Sequence, residues 1–124
     1  MVKIALNLKS NEYFLKVLEL LSPFFPFSGL SKREREVLSL LLLHNYEKIE
    51  IPYDDRMKII FNYTTRQALA ETLKISVFNL NNLMKGLRDK GFIGSDNINK
   101  KFLLTPETHG EFLFTFKYSE QHDS

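Results

Sequence analysis

Ala70-Glu71-Thr72-Leu73-Lys74-Ile75-Ser76-Val77-Phe78-Asn79-Leu80-Asn81-Asn82-Leu83-Met84-Lys85-Gly86-Leu87-Arg88-Asp89-Lys90-Gly91-Phe92-Ile93 is the stretch whose reading decides the fold. Leu69, Ala70 and Leu73 recur at helical spacing, and Lys74-Ile75-Ser76 interrupts them. Ser76 is a good N-cap for a second, longer helix, Val77 to Asp89. Its apolar positions Leu80, Leu83, Met84 and Leu87 keep the 3.6-residue period. Lys90-Gly91 ends it with a cation in the last turn and a glycine just beyond. Phe92-Ile93 and Phe102-Leu103-Leu104 then read as two short strands around a polar loop, and Pro106 stops the second.

Upstream, Thr64-Thr65-Arg66-Gln67 has the pattern of a capping box, with Thr64 as cap for a short helix that begins near Arg66. Ser31-Lys32-Arg33-Glu34 has the same pattern and opens a helix to about His44, with Val37, Leu38, Leu41 and Leu42 inward. Leu40 and Leu43 widen its apolar surface, so this helix is either central or in contact with another subunit. Between the two, Ile49, Ile51 and Tyr53 alternate like a short strand, and Asp54 to Phe61 has room for one or two helical turns. At the start, residues 2, 4, 6 and 8 are apolar, the period of a half-buried strand. Tyr13, Phe14, Val17, Leu18 and Leu21 follow at helical spacing, and Ser22-Pro23 ends that helix. Phe24, Phe25 and Phe27 form an aromatic connector. Near the end, Phe112, Phe114, Phe116 and Tyr118 alternate as in a second terminal strand.

The order of short helix, three-residue turn, second helix ending in Lys-Gly and tight hairpin resembles a winged helix-turn-helix domain. Ala70-Glu71-Thr72-Leu73-Lys74-Ile75-Ser76 is similar to the run that joins the second and third helices of that family. Leu80, Met84, Leu87 and Lys90-Gly91-Phe92-Ile93 are similar to its run into the wing. The resemblance covers about residues 31–104. It implies an α+β, mainly α fold with a short β-hairpin wing at 94–101, here with additional terminal strands. It also implies binding of double-stranded DNA, as in the bacterial, phage and plasmid regulators and replication initiators that share the fold. Three parts of the chain follow: residues 1–30 as a strand, helix and connector, 31–104 as the winged domain, and 105–124 as a strand and polar tail.

The residues of the second helix carry their own argument. With Leu80, Met84 and Leu87 inward, Phe78, Asn79, Asn81, Asn82 and Lys85 lie on other faces and are the candidates for contact with DNA bases. Asparagine is a mediocre helix former, so three within four positions need a reason. A helix in the major groove supplies one, because an asparagine amide pairs bidentately with adenine N6 and N7. The competing reading is a solvated polar face with capping asparagines. Phosphate contacts fall to Thr65, Arg66, Lys74, Ser76 and Arg88, with Lys100 and Lys101 on the wing. For any one of these cations, an ordinary surface lysine or arginine is the competing reading.

Composition sets the outer bounds. Hydrophobic content of 44% and charged content of 26% suit a folded chain rather than a disordered one. Cysteine is absent, which removes disulfides, thiolate metal sites and cysteine nucleophiles. The longest apolar run is too short for a bilayer, and the first residues lack the pattern of a signal peptide. A cytoplasmic location is the expectation. Net charge is +2, but residues 64–101 hold 7 Lys/Arg against Glu71, Asp89 and Asp96. His44, His109 and His122 have no ligand spacing, Asp54-Asp55 reads as a solvated loop pair, and no phosphate loop or nucleophile elbow occurs. No enzyme, metal or cofactor is expected. The function expected is that of a sequence-selective DNA-binding transcriptional regulator, acting as a homodimer through the terminal strands and N-terminal helix. A replication initiator is the nearest variant. A protein-interaction or assembly module, such as a phage or virus structural component, is the alternative from another class.

Overall fold

A computed structural model describes residues 5–106 and 117–118. Five α-helices form its frame: α1 Ser10–Leu21, α2 Lys32–Glu47, α3 Tyr53–Ile60, α4 Tyr63–Leu73 and α5 Val77–Asp89. Among the described residues there is no strand, only one isolated antiparallel bridge between Ile93 and Ile98. The α+β winged architecture expected from the sequence is therefore corrected to a small helical domain. The expected C-terminal strand lies almost wholly outside the described residues. Of the expected N-terminal strand, residues 5–8 are described and are not in a strand.

The helices start where local chemistry starts them. Ser31 and Glu34 form the complete capping box: Glu34 N–H donates to Ser31 Oγ at 3.1 Å, and Ser31 N–H donates to Glu34 Oε1 at 2.8 Å. Ser76 Oγ accepts from Asn79 N–H at 3.0 Å and caps α5. For α4 the cap is Asn62, not Thr64. Asn62 Oδ1 accepts from Thr65 N–H at 2.7 Å, while the Thr65 hydroxyl donates back to Ile59 O at 2.8 Å and ties α4 to the end of α3. Asparagine caps at least as well as threonine, and here it sits one turn before Thr65.

Both turns that flank α5 are closed by the same hydrogen-bond pair. After α5, Phe92 N–H reaches Leu87 O and Gly91 N–H reaches Arg88 O, with Gly91 at φ 84°. After α4, Ile75 N–H reaches Ala70 O and Lys74 N–H reaches Glu71 O, with Lys74 itself left-handed at φ 57°. In both cases the apolar residue after the left-handed position, Phe92 or Ile75, packs on the core.

Two further expectations fail for identifiable reasons. Ile49, Ile51 and Tyr53 do not form a strand, because Arg56 folds beneath them and donates to Ile49 O at 3.0 Å and Ile51 O at 2.9 Å. Those carbonyls are satisfied by a buried guanidinium, and Pro52 leads directly into α3. The hairpin wing fails because the chain reverses too soon. Gly94 N–H donates to Asn97 O at 2.7 Å and Asn99 N–H to Phe92 O at 3.0 Å. Asn99 then donates to Gly91 O and accepts from Lys101 N–H, which starts a 3-10 turn, Lys100–Phe102. Phe102 swings back onto Phe92, with ring centroids 4.6 Å apart, and both rings meet Phe27 of the connector. Ring burial displaces the strand ladder.

Helix α2 is central: it packs on α1, α3 and α5, while α4 packs on α5 and α3. One buried cluster joins Phe14 and Leu18 of α1, Val37, Leu38, Leu41 and Leu42 of α2, Met57 and Ile60 of α3, and Leu69 and Ala70 of α4. From α5 it takes Leu80, Met84 and Leu87, and from the loop beyond it Phe92, Ile93, Ile98 and Phe102. At about 1.5–3 kcal/mol for each fully buried large apolar side chain, this cluster fixes which side of α5 is turned inward. Among the described residues no helix is long and apolar enough to cross a membrane.

Candidate nucleic-acid interface

Burial of Leu80, Met84 and Leu87 leaves the opposite side of α5 open. At about 100° per residue, Phe78, Asn81, Asn82 and Lys85 fall within roughly a third of the helix circumference, and all four are exposed. Phe78 is 73% exposed. Asn79 is exposed at the edge of this face, and its backbone N–H is already engaged by Ser76. The cap of α5 is thus a serine, and among the described residues none of the three asparagine side chains is hydrogen-bonded within the protein. Their amides are unspent.

The cations around this face are likewise uncompensated. Of the seven in residues 64–101, Lys90 is paired: its ammonium contacts Glu34. Among the described residues Arg66, Lys74, Lys85, Arg88, Lys100 and Lys101 have no carboxylate within ion-pair distance. Lys74 is exposed in the α4–α5 turn. Thr65 is half-buried with its hydroxyl committed to Ile59, so it offers no free donor there. Ser76 is exposed, with its oxygen occupied by the cap.

The structure brings Arg66 and Arg88 together. They line a cleft of about 200 Å³ with Asn81, Ser95 and Asp96, floored by Phe61 and Met84. Arg88 Nε donates to Gly94 O at 3.3 Å, which orients its guanidinium along the loop. Arg66 Nε is shielded from solvent and has no partner among the described residues. A buried donor left unpaired costs about 1–3 kcal/mol.

Lys100 and Lys101 do not join them on a wing. Lys100 lies over the Tyr53 ring, 4.7 Å from its centroid, and lines a separate cleft with Gly91, Gly94 and Asn97. Lys101 lies over Phe102 at 5.1 Å. Both ammonium groups remain exposed, on a compact loop rather than a projecting hairpin.

Three contributors were not singled out from the sequence. Tyr63, 60% exposed in the first turn of α4, was hidden by placing the cap at Thr64. Ser95 and Asp96 enter only because the loop folds against α4 and α5. Among the described residues no group of three or more His, Asp or Glu is placed to hold a metal ion. No protein-family model, curated protein or solved structure matches this chain.

Proposed function

We propose that the chain binds double-stranded DNA, with α4 and α5 acting as a helix-turn-helix pair and α5 seated in the major groove. The observation that carries this reading is the open face of α5. It presents Asn81 and Asn82 with their amides unengaged, between Phe78 and Lys85. Asn81 and Asn82 pair with adenine edges, and Phe78 meets a thymine methyl group. Arg66, Lys74 and Arg88 take backbone phosphates. Lys100 and Lys101 add charge to the same segment. Sequence-selective regulation of transcription is the role this favours, and initiation of replication uses the same contacts.

The test is duplex binding by the full chain and by Asn81→Ala and Asn82→Ala at two salt concentrations. Each lost base pairing is expected to cost about 1–3 kcal/mol. With three to five phosphates engaged, the log–log salt slope should be roughly −3 to −4.5. Affinity for a duplex that ignores both salt and these substitutions overturns the reading. One observation favours a second reading, that of a protein-interaction module: Tyr63 and Phe78 are large aromatic groups, 60% and 73% exposed, on the adjoining helices.

A further inference from the structure

We propose that the cleft between Arg66 and Arg88 is a receptor for a single phosphate group. Where that group belongs to a duplex, the inference rests on the DNA-binding reading and locates one of its backbone contacts; where it is a free phosphate, it stands apart.

Two guanidinium groups from different helices border the cleft, and neither is neutralised by a carboxylate among the described residues. Their chemistry is that of phosphate recognition: planar forks of N–H donors that match tetrahedral oxyanions. The second side of the cleft is bordered by the neutral residues Asn81 and Ser95. Arg66 Nε–H is withdrawn from solvent and has no partner among the described residues, so the terminal N–H groups of its guanidinium are the donors it offers to the cleft. Arg88 is already steered by Gly94 O, which lowers the ordering cost when a ligand arrives.

Size and charge narrow the ligand. A volume of about 200 Å³ falls below the range of roughly 300–1,000 Å³ typical of drug-sized ligands. It suits a phosphate rather than a whole nucleotide. Asp96 at the rim is the opposing feature. It is exposed and has no ion-pair partner among the described residues, and it lowers the cleft's net charge from two positive charges to one. That makes Asp96 a tuning residue whose removal must strengthen anion binding.

The experiment uses the full chain, titrated with inorganic phosphate against chloride at matched ionic strength, with the Arg66 Nε–H resonance followed by NMR. The same protein is assayed for duplex binding with and without phosphate. Phosphate is expected to move the Arg66 signal. Asp96→Asn should tighten phosphate several-fold, and Arg66→Lys, which keeps the charge and loses the fork, should weaken it by about tenfold. If duplex binds and phosphate competes with it beyond ionic strength, the occupant is the DNA backbone. If duplex does not bind but phosphate still moves Arg66, the site takes a free phosphate, and only the DNA reading falls. If phosphate leaves the Arg66 signal unmoved, and Asp96→Asn and Arg66→Lys leave duplex affinity unchanged, the receptor proposal is overturned whatever the duplex does.

Discussion

The carboxylate of Glu34, at the start of α2, lies against the bare Cα of Gly86 in the middle of α5: a β-carbon at Gly86 would meet Glu34 Oε2 at 2.1 Å. The same carboxylate receives Ser31 N–H and the Lys90 ammonium. One acid therefore caps one helix and holds the end of another.

Gly86→Ala tests this contact. On an exposed helix, alanine would gain about 1 kcal/mol over glycine. Here the added methyl group must displace a buried side chain pinned by two partners, so a net loss of about 1–3 kcal/mol is expected in denaturant unfolding. In a Glu34→Ala background the sign should reverse, because nothing remains to be displaced. A stabilising Gly86→Ala in the otherwise wild-type chain would refute the contact.

Glu34 also sets an acid limit. Burial raises its pKa, but the hydrogen bond and charge of Lys90, with the N–H and hydroxyl of Ser31, outweigh burial and hold it below the ordinary carboxylate value. A lowered folded pKa means stability that is full above the unfolded value, about 4.3, and lost as pH falls through the folded one. Glu34→Gln should flatten the stability curve below about pH 4.3. An unchanged acid limb would show that Glu34 is not its source.

His44 acts in a different window. Burial foremost, and then the Lys48 ammonium, lower its pKa, with Glu47 opposing. Its Nδ1 lies 3.4 Å from Lys48 Nζ. Below the unfolded value, about 6.5, the unfolded chain takes up a proton that the folded chain refuses. Stability therefore falls with pH from about 6.5 down to the folded value. His44→Gln should remove that slope and leave the Glu34 limb below it. Persistence of the slope would place the titration elsewhere.

These contacts separate what was legible in the sequence from what was not. Helices α2 and α5 were readable because their signals are local: a capping box, a 3.6-residue stripe and a Lys-Gly stop. The wing was not, because Phe92 and Phe102 look like strand residues until Phe27, far upstream, offers a ring stack that outweighs a short ladder. Arg56 misled in the same way, since only the folded chain shows a guanidinium claiming the Ile49 and Ile51 carbonyls. On the candidate interface, Phe78, Asn81, Asn82 and Lys85 followed from helical period alone. The Arg66–Arg88 cleft needed the tertiary packing of α4 on α5.

Lys74 links fold and function with opposite signs. A non-glycine residue in the left-handed region costs about 1–2 kcal/mol, and Lys74 occupies it at φ 57° in the turn before α5. Lys74→Gly should stabilise the fold by about 1 kcal/mol while weakening duplex binding and reducing the salt slope by about one unit. Lys74→Ala should lose the charge without gaining the stability. If both variants bind DNA as wild type does, the turn is not a phosphate contact.

Phe78 separates reading of bases from contact with backbone or protein. Its side chain is 73% exposed, so Phe78→Ala should change stability by less than about 0.5 kcal/mol, and any loss of binding reports on a partner. Selection of bound sequences from a randomised duplex pool gives each residue a distinct signature. Losing an apolar contact to a thymine methyl relaxes preference at one position, and losing Asn81 or Asn82 relaxes preference for adenine at another. Lys85→Ala should weaken all sequences alike with a smaller salt slope. If Phe78→Ala and the asparagine variants lower affinity uniformly with no change in the selected sequences, α5 is not in the major groove. If no duplex is selected at all, the exposed aromatic pair of Tyr63 and Phe78 becomes the anchor of a protein contact instead.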